Sequence, residues 1–334
     1  MTDLYPLKFE PQLKKRMWGG SRLSGKTGES SSGGSNIGES WVISGIEGAE
    51  SVVANGYLAG NNLSELVEVY MGDIAGEAVF EKFGNEFPLL VKYIDAASTL
   101  SVQVHPGDEM AARLHHAYGK TEMWYIMDAD PGAMIYCGFK DGTDEFQYKS
   151  AVVKGTIENL LNAEPAKKGD IFLIPAGMVH AIGGGILLAE IQQPSDVTYR
   201  IFDWNRTDED GNPRELHTEL AAEAIDFKAR GGRINIPSTE TNKTTVIVNN
   251  RHFTTGLLSF DAFITKDYNL LDSFVILLCT SGEFVLHYDA ASEIVSSGET
   301  IMIPAMVRDV VLEPRPAATV LEIYLNTTLT ETSN

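Results

Sequence analysis

Hydrophobic positions along the chain fall mostly into short runs that glycine, proline and aspartate separate. The runs are rich in β-branched and aromatic residues, which pleated sheets favour. Many short strands with turn residues between them are typical of a sandwich or a barrel rather than of a βαβ fold. The runs that predict strands are residues 170–175, 186–192, 244–248, 274–279, 284–288 and 320–325.

One segment, residues 63–71, has the spacing of an amphipathic helix. Its apolar residues recur at i, i+3, i+4 and i+7, so they share one helix face. Ser64 is expected to cap the start of this helix, and Gly72 is expected to end it. Weaker helical patterns cover residues 109–116 and 215–224.

A nine-residue pattern occurs twice, at residues 168–176 and again 129 residues later at residues 297–305. Both copies contain glycine, an acidic residue, three further residues and then Ile-Pro-Ala. Each copy is expected to open a strand after a tight turn and to end it at proline, which cannot continue a central strand. The repeat predicts two related β-barrels that join near residues 230–244.

Composition narrows the choice of partners. The chain has 334 residues, of which 43% are hydrophobic and 22% are charged, as expected for a globular protein of about two domains. Lys and Arg number 26 whereas Asp and Glu number 46, so the formal net charge is −20. Such a field repels phosphate backbones and anionic lipid, which argues against nucleic acid or a membrane as a partner. If the ligand is an anion, a few cations inside a pocket must overcome this field.

The first residues and the cysteines favour a cytoplasmic protein. Residues 1–20 lack the apolar core of a signal peptide, and the longest apolar runs are too short to span a bilayer. Cys137 and Cys279 provide no disulfide framework and no CxxC metal motif. Each cysteine is expected to be a small buried residue.

Three separate stretches carry side chains that suit a metal. Alternation along residues 100–109 places Gln103 and His105 on one face of a strand. Glu122 lies on another predicted strand, and His180 stands just beyond a third. Two imidazoles, a carboxylate and an amide oxygen on neighbouring strands would form a mononuclear site. Two histidines and one glutamate with an open position also suit a catalytic zinc.

Spacing alone leaves a plainer interpretation open. His105 could be a core histidine and Glu122 a surface partner of Lys120. Arg200 and Arg206 could be exposed partners of Asp196 and Asp203. The second copy of the repeat argues against it, because no histidine follows that copy within six residues and no Gln-x-His pair precedes it at the matching distance. We therefore expect a metal in the first barrel only.

At these motifs the sequence resembles class I mannose-6-phosphate isomerase (phosphomannose isomerase) in its short bacterial form. The resemblance covers most of the first 205 residues, in order. QVHP combined with KTE is its most specific part, whereas GESW and IPAG alone would be weak. Longer relatives contain an inserted large helical domain. In this sequence only residues 63–72 could correspond to it. The segments that carry the resemblance are WGG at 18–20, GESW at 38–41, FPLLVK at 87–92, LSVQVHP at 100–106, KTEMW at 120–124, IPAG at 174–177 with His180, and SD at 195–196 with Arg200.

The resemblance implies a cupin fold, which is a small β-barrel or jelly roll, and a bound zinc ion. Arg200 matches the arginine that the family treats as catalytic. Lys120 and Glu190 match residues that line the same pocket, and Arg206 stands where longer relatives carry a lysine. The positions that match the metal ligands are His105, Glu122, His180 and, as the least certain one, Gln103.

The implied activity is the interconversion of mannose 6-phosphate and fructose 6-phosphate through a cis-enediol. This chemistry needs a base near the carbon, an acid near the oxygen and positive charge where an oxyanion develops. Glu190, tuned by burial, is the expected base, and a zinc-bound water is its competitor. Arg200 would stabilise the enediolate or bind phosphate.

We expect a mainly β protein with a catalytic cupin domain over residues 1–235, which includes a small helical segment near residues 63–80. A cupin-like β domain without a metal site is expected over residues 240–334. Two alternatives remain for the function. One is another metal-dependent cupin enzyme, such as an oxygenase or an epimerase, and the other is a non-catalytic sugar-binding cupin.

Overall fold

Short hydrophobic runs form strands throughout the chain, so the computed structural model is mainly β, as the sequence predicts. It describes residues 4–24, 36–207, 211–229, 231–236 and 238–327. The chain packs into two units, which we call central and terminal. The central unit consists of Gln12–Trp41 and Leu90–Asn235, and the terminal unit of Met1–Pro11, Val42–Leu89 and Ile236–Asn334.

The central unit contains two antiparallel sheets. The strands that begin in this unit are β1 (Gln12–Gly20), β2 (Ile37–Ser44), β3 (Leu90–Ala96), β4 (Val102–Val104), β5 (Glu122–Ala129), β6 (Met134–Phe139), β7 (Leu161–Pro165), β8 (Ile171–Ile174), β9 (His180–Ile182), β10 (Ile186–Gln192), β11 (Tyr199–Phe202) and β12 (Gly232–Ile234). The larger sheet has the order β1-β2-β3-β10-β5-β8-β12, and the smaller sheet has the order β11-β4-β9-β6-β7.

One hydrophobic cluster takes side chains from both sheets of the central unit. Trp124 and Phe172 reach it from the larger sheet, and Ile135 and Ile182 reach it from the smaller one. A second cluster covers β4 and β11 with side chains of α5 (Glu145–Lys154) and α6 (Thr218–Ala224). Helix α4 (Asp108–His115) and a 3-10 helix (Ile157–Leu160) complete the unit. Apolar packing on both faces fixes the smaller sheet, which carries part of the site.

The terminal unit contains a seven-stranded sheet. Its order is β13-β14-β19-β16-β17, with β15 paired to β19 and β18 paired to β16. The two apolar runs predicted at 274–279 and 284–288 are parts of one long strand, which bends at irregular register positions. The strands of this sheet are β13 (Thr245–Asn249), β14 (Thr254–Phe260), β15 (Ile264–Asp267), β16 (Val275–Tyr288), β17 (Ala291–Ser296), β18 (Thr300–Ile303) and β19 (Asp309–Tyr324).

Three short helices also belong to the terminal unit: α1 (Leu63–Tyr70), α2 (Gly72–Ala75) and α3 (Glu77–Phe83). The expected cap at Ser64 is wrong, because Asn62 and Glu65 form a reciprocal capping box. Helix α1 ends at Tyr70, close to the expected stop at Gly72, but Gly72 is also the first residue of α2. The Asp272 carboxylate accepts hydrogen bonds from the first backbone N–H groups of α3, which ties the helices to the sheet of this unit.

The repeated motif has the expected local structure in both copies. Gly169 and Gly298 have φ angles of +88° and +77°, which glycine adopts readily. Strands β8 and β18 follow, and each ends immediately before the proline of its copy. The presence of two barrels stays a prediction, and so does the division at residues 235 and 240. The helical segment near residues 63–80, which we expected in the catalytic domain, packs in the terminal unit.

The glycine turn at residues 183–185 joins strands of two different sheets. Strand β9, before it, lies in the smaller sheet, and β10, after it, lies in the larger sheet. The turn therefore carries the chain from one sheet to the other. Both cysteines are buried, as expected.

Candidate metal centre and its cavity

Three acidic and imidazole side chains that are distant in sequence meet inside the central unit. The potential ligand atoms of His105, Glu122 and His180 all lie within 4.8 Å of one another. His105 directly follows β4, Glu122 is the first residue of β5, and His180 is the first residue of β9 rather than a residue beyond a strand. All three side chains are almost completely buried. The structure therefore brings together the three residues that the sequence motifs select.

Both imidazoles present the same nitrogen to the centre. The Nδ1 atom of His105 lies 3.0 Å from the carbonyl oxygen of Val197, and that of His180 lies 2.9 Å from the carbonyl oxygen of Met178. A proton on Nδ1 satisfies each contact and leaves Nε2 unprotonated, an arrangement usual for metal-binding histidines. The two Nε2 atoms lie 3.5 and 3.3 Å from the Glu122 carboxylate.

Burial sets the protonation of these imidazoles. It lowers the pKa of His180 to about 4 and the pKa of His105 well below its ordinary value, with Lys120 as a further cause for His105. Both rings are therefore neutral at pH 7. Neutral imidazole is the form that binds a metal.

The carboxylate of Glu122 has an environment that favours a cation. Neither of its oxygens has a hydrogen-bond partner among the described residues, although both are inaccessible to water. Burial and then the charge of Glu190 raise the pKa of Glu122 to about 8. A buried, unsatisfied carboxylate is costly, and a metal ion would satisfy it. The donor set thus fits a divalent cation, and the interpretation of Glu122 as a surface residue is wrong.

Two further side chains that the sequence selects contact this cluster. The Gln103 amide nitrogen lies 3.2 Å from Nε2 of His180, so rotation of the amide would bring its oxygen to the same side of the ring. The Nζ atom of Lys120 lies 3.1 Å from Nε2 of His105 and 3.3 Å from Oε2 of Glu122. Lys120 therefore places a positive charge beside two of the three candidate ligands.

Glu190 lies in the same charged region but is tuned in the opposite direction to the one we expected. One carboxylate oxygen lies 2.6 Å from Nζ of Lys92, and the other accepts a hydrogen bond from Nε1 of Trp124 at 2.7 Å. Burial raises its pKa, but Lys92 and then Lys120 outweigh burial and lower the pKa below its ordinary value. Glu190 is consequently an ionised carboxylate at neutral pH.

A cavity of about 360 Å³ adjoins these residues and is large enough for a small ligand. Gln103, Lys120, Glu190 and Arg200 line it. Arg200 lies on β11 opposite Gln103, and Gln103 on β4 lies opposite His180, so the three residues form a row across neighbouring strands. Arg200 donates a hydrogen bond to the carbonyl oxygen of Glu215 at 2.8 Å instead of pairing with Asp196. The interpretation of Arg200 as the surface partner of Asp196 is therefore wrong.

The sequence reasoning assigned no role to several charged residues that line this cavity. Lys92 is buried on β3 and contacts Glu190, and Glu39 on β2 accepts hydrogen bonds from Arg16 and from Nε1 of Trp41. The signal that marks Lys92 is a lysine in the middle of a mostly apolar strand that is wholly buried. No comparable signal marks Arg16 and Glu39, because these two hydrogen-bonded residues are far apart in the sequence.

Glu39 yields a prediction about acid stability. Burial raises its pKa, but Lys92 and Arg16 outweigh burial and lower the pKa to about 2 from an ordinary 4.5. The ionised side chain should therefore contribute about 3 kcal/mol at pH 7, a contribution lost as the pH falls from 4.5 towards 2, where the unfolded chain binds the proton first. Glu39→Gln should lower the free energy of unfolding by this amount at pH 7 and by much less at pH 3.

Denaturant titrations of parent and variant at both pH values measure this difference. Glu145→Gln serves as the control because that carboxylate is more than half exposed. Its effect should be small at either pH. A deficit for Glu39→Gln that is equally large at pH 3 and pH 7 would contradict the assignment.

Antiparallel sheets that hold a buried His–Glu–His cluster beside a polar cavity define a cupin-type protein with a cluster of side chains that could hold a metal ion. Comparison with known proteins extends this description. A model of the phosphomannose isomerase type I catalytic domain matches residues 6–136. The mannose-6-phosphate isomerase ManA of Bacillus subtilis is 39% identical over 257 residues, which are 75% of this chain and 78% of that protein.

Other relatives agree with this match. The mannose-6-phosphate isomerase of Streptococcus mutans is 38% identical over 257 residues, which cover 75% of this chain and 77% of that protein. The crystal structure of the mannose 6-phosphate isomerase from Bacillus subtilis superposes with a TM-score of 0.85 at 30% identity and covers 96% of this chain and 99% of that one. The chain therefore belongs to the type I phosphomannose isomerase family.

Within the described residues, no helix has the length and apolar character needed to cross a membrane.

Proposed function

We propose that the chain interconverts mannose 6-phosphate and fructose 6-phosphate and that its metal is zinc. The observation that carries the proposal is the convergence of two neutral imidazoles on a buried carboxylate that has no other hydrogen-bond partner among the described residues. His105, Glu122 and His180 would hold the ion, and the amide oxygen of Gln103 would be the fourth ligand. Two histidines, one carboxylate and one further oxygen match the preferences of zinc.

The metal would polarise the carbonyl group of the open-chain sugar, and the chain's own residues would do the rest. Arg200 lies across the strand from Gln103, where its guanidinium would stabilise negative charge that develops on the enediol oxygens. Lys120 would keep positive charge beside the ligand cluster. The row of His180, Gln103 and Arg200 supports an arrangement in which the reacting carbons of the sugar lie along the wall of the cavity.

Proton transfer between the two carbons needs a base beside them, and we assign this role to Glu190. Its carboxylate is ionised, lines the cavity and is fixed at both oxygens by Lys92 and Trp124. Fixed orientation favours proton transfer, although the low pKa weakens the base. A water molecule in the site is the competing base.

The sugar phosphate, the absence of nucleic-acid and membrane partners, and a cytoplasmic location complete the proposal. The net charge of −20 disfavours polyanionic partners, and the cationic side chains that line the cavity support a sugar phosphate as the ligand.

A coupled assay that detects fructose 6-phosphate formed from mannose 6-phosphate tests the proposed function. We expect turnover by the purified protein in its metal-loaded form, without consumption of oxygen. Oxygen uptake with the sugar would indicate an oxygenase. Thermal stabilisation by mannose 6-phosphate without any turnover would indicate a sugar-binding protein instead.

A further inference from the structure

Two arginines beside the cavity share the buried carboxylate of Asp203. Arg214 donates from Nε to Oδ2 at 2.7 Å and from Nη2 to Oδ1 at 2.5 Å. Arg206 donates from Nη2 to Oδ1 at 2.6 Å. The side chains of Arg206 and Arg214 have nearly equal exposure, 23% and 25%, and that of Asp203 is 5% exposed. The two hydrogen bonds that Arg214 donates to Asp203 fix the plane of its guanidinium group.

The two arginines differ in what else they contact. Among the described residues that line the cavity, Arg214 is present and Arg206 is not. Arg206 directs Nη1 to the carbonyl oxygen of Thr99 at 2.6 Å and Nε to the carbonyl oxygen of Asp203 at 3.3 Å. Its three guanidinium nitrogens therefore all bond to the chain, so Arg206 braces the loop.

Arg200, which lines the same cavity, has hydrogen-bonding capacity left over. Its Nε is buried and has no hydrogen-bond partner in the described part of the chain. Burial and then the positive charge of Arg214 lower the pKa of Arg200, because two guanidinium groups near each other repel. Negative charge on a substrate that contacts both groups would reduce this repulsion.

The position of the pair suits the far end of a sugar phosphate. Arg200 lies two strands from His180, and strands are spaced about 4.8 Å apart, so about 10 Å separate the two backbones. This separation is comparable to the length of an extended six-carbon sugar phosphate. A substrate whose carbonyl end lies at the metal centre would therefore present its enediol oxygens to the guanidinium that Arg200 extends into the cavity and direct its phosphate past Arg200 towards Arg214.

We propose that Arg214 anchors the phosphate group of the substrate and thereby sets the preference for phosphorylated sugars. The proposal rests on the proposed function for the identity of the sugar. A phosphate monoester carries close to two negative charges at pH 7 and matches the planar fork of a guanidinium group. Asp203, which accepts two hydrogen bonds from Arg214, holds the anchor in place.

The variants Arg214→Gln and Arg206→Gln form a matched pair because each removes one partner of Asp203, but only the first removes a guanidinium from the cavity. For Arg214→Gln we expect the KM for mannose 6-phosphate to rise about 10- to 100-fold with kcat changed less than about threefold, the signature of lost uniform binding. The inhibition constant of inorganic phosphate should rise in parallel. Arg206→Gln should change each value by less than about threefold, and Arg214→Lys should restore part of the loss.

An unchanged KM in Arg214→Gln, an equal rise in both glutamine variants, or a fall in kcat alone would overturn the proposal. Calorimetric titration with inorganic phosphate separates this outcome from failure of the proposed function. Suppose that the parent protein binds phosphate but does not isomerise mannose 6-phosphate, and that only Arg214→Gln loses phosphate binding. The anion site then stands and the proposed function fails. If the parent is active and phosphate binding is the same in all variants, the proposed function stands and the anchor fails.

Discussion

Replacement of Glu122 by glutamine should remove the metal and the isomerase activity together. The substitution keeps the volume of the side chain but removes the negative charge that faces the two Nε2 atoms. Since even indirect partners of metal ligands change affinity by about 10- to 100-fold, loss of this carboxylate should reduce activity by about 10³-fold or more. Metal content per chain and turnover of mannose 6-phosphate are the two measurements.

The pKa of Glu122 supplies a second readout that excludes simple misfolding. Because burial and Glu190 raise this pKa to about 8, the ionised carboxylate destabilises the metal-free fold as the pH rises from 4.5 to 8. The metal-free variant should therefore melt at or above the melting temperature of the metal-free parent at pH 7. Glu322, a buried carboxylate in the terminal unit that contacts Lys266 and Tyr268, offers a matched control.

Glu322→Gln should retain both metal and turnover, because Glu322 lies outside the candidate centre. Full activity in metal-free Glu122→Gln would contradict the role of Glu122. An unfolded Glu122→Gln protein at pH 7 would contradict the explanation from its pKa.

Replacement of Arg200 by alanine should reduce turnover by about 10²-fold or more while the metal and the fold remain. The expected loss is that of one group which stabilises developing charge. Among the ion pairs of the described residues, none joins Arg200 to a candidate metal ligand, so the metal content should not change. Single-turnover and steady-state rates with mannose 6-phosphate measure the effect.

Arg113→Ala is the control for the loss of an arginine, since Arg113 is 54% exposed and pairs with Glu223 on the surface. Its turnover should equal that of the parent. Arg200→Lys should recover little of the activity, because an ammonium group cannot reproduce the planar fork of the guanidinium. Near-normal turnover in Arg200→Ala would make Arg200 a structural residue.

The metal cluster was predictable from the sequence because its members lie in short, specific motifs. QVHP and KTE each place a ligand at a strand end, where the local alternation already indicates direction. Likewise, the strand at residues 186–192 is predicted with its observed bounds, since glycine precedes its largely apolar run and proline follows two positions after it. The glycine-to-proline motif predicted β8 and β18 for the same reason.

Features that depend on distant partners were not predictable. Lys92 and Glu190 are 98 positions apart, so nothing local shows that the lysine has a buried partner or that the carboxylate has a low pKa. The helical segment near residues 63–80 packs in the terminal unit through contacts such as the one from Asp272, which propensity does not contain. The shared carboxylate partner does not distinguish Arg214 from Arg206. Only the position of Arg214 at the cavity wall marks it as the candidate anchor.

The most direct test of the account measures metal dependence in the unmodified protein. After a chelator has removed the metal, we expect fructose 6-phosphate formation from mannose 6-phosphate to stop and to return when one equivalent of zinc per chain is added. Zinc should also raise the melting temperature, because it binds only the folded cluster of His105, Glu122 and His180. Undiminished turnover by a protein shown to contain no metal would contradict the account.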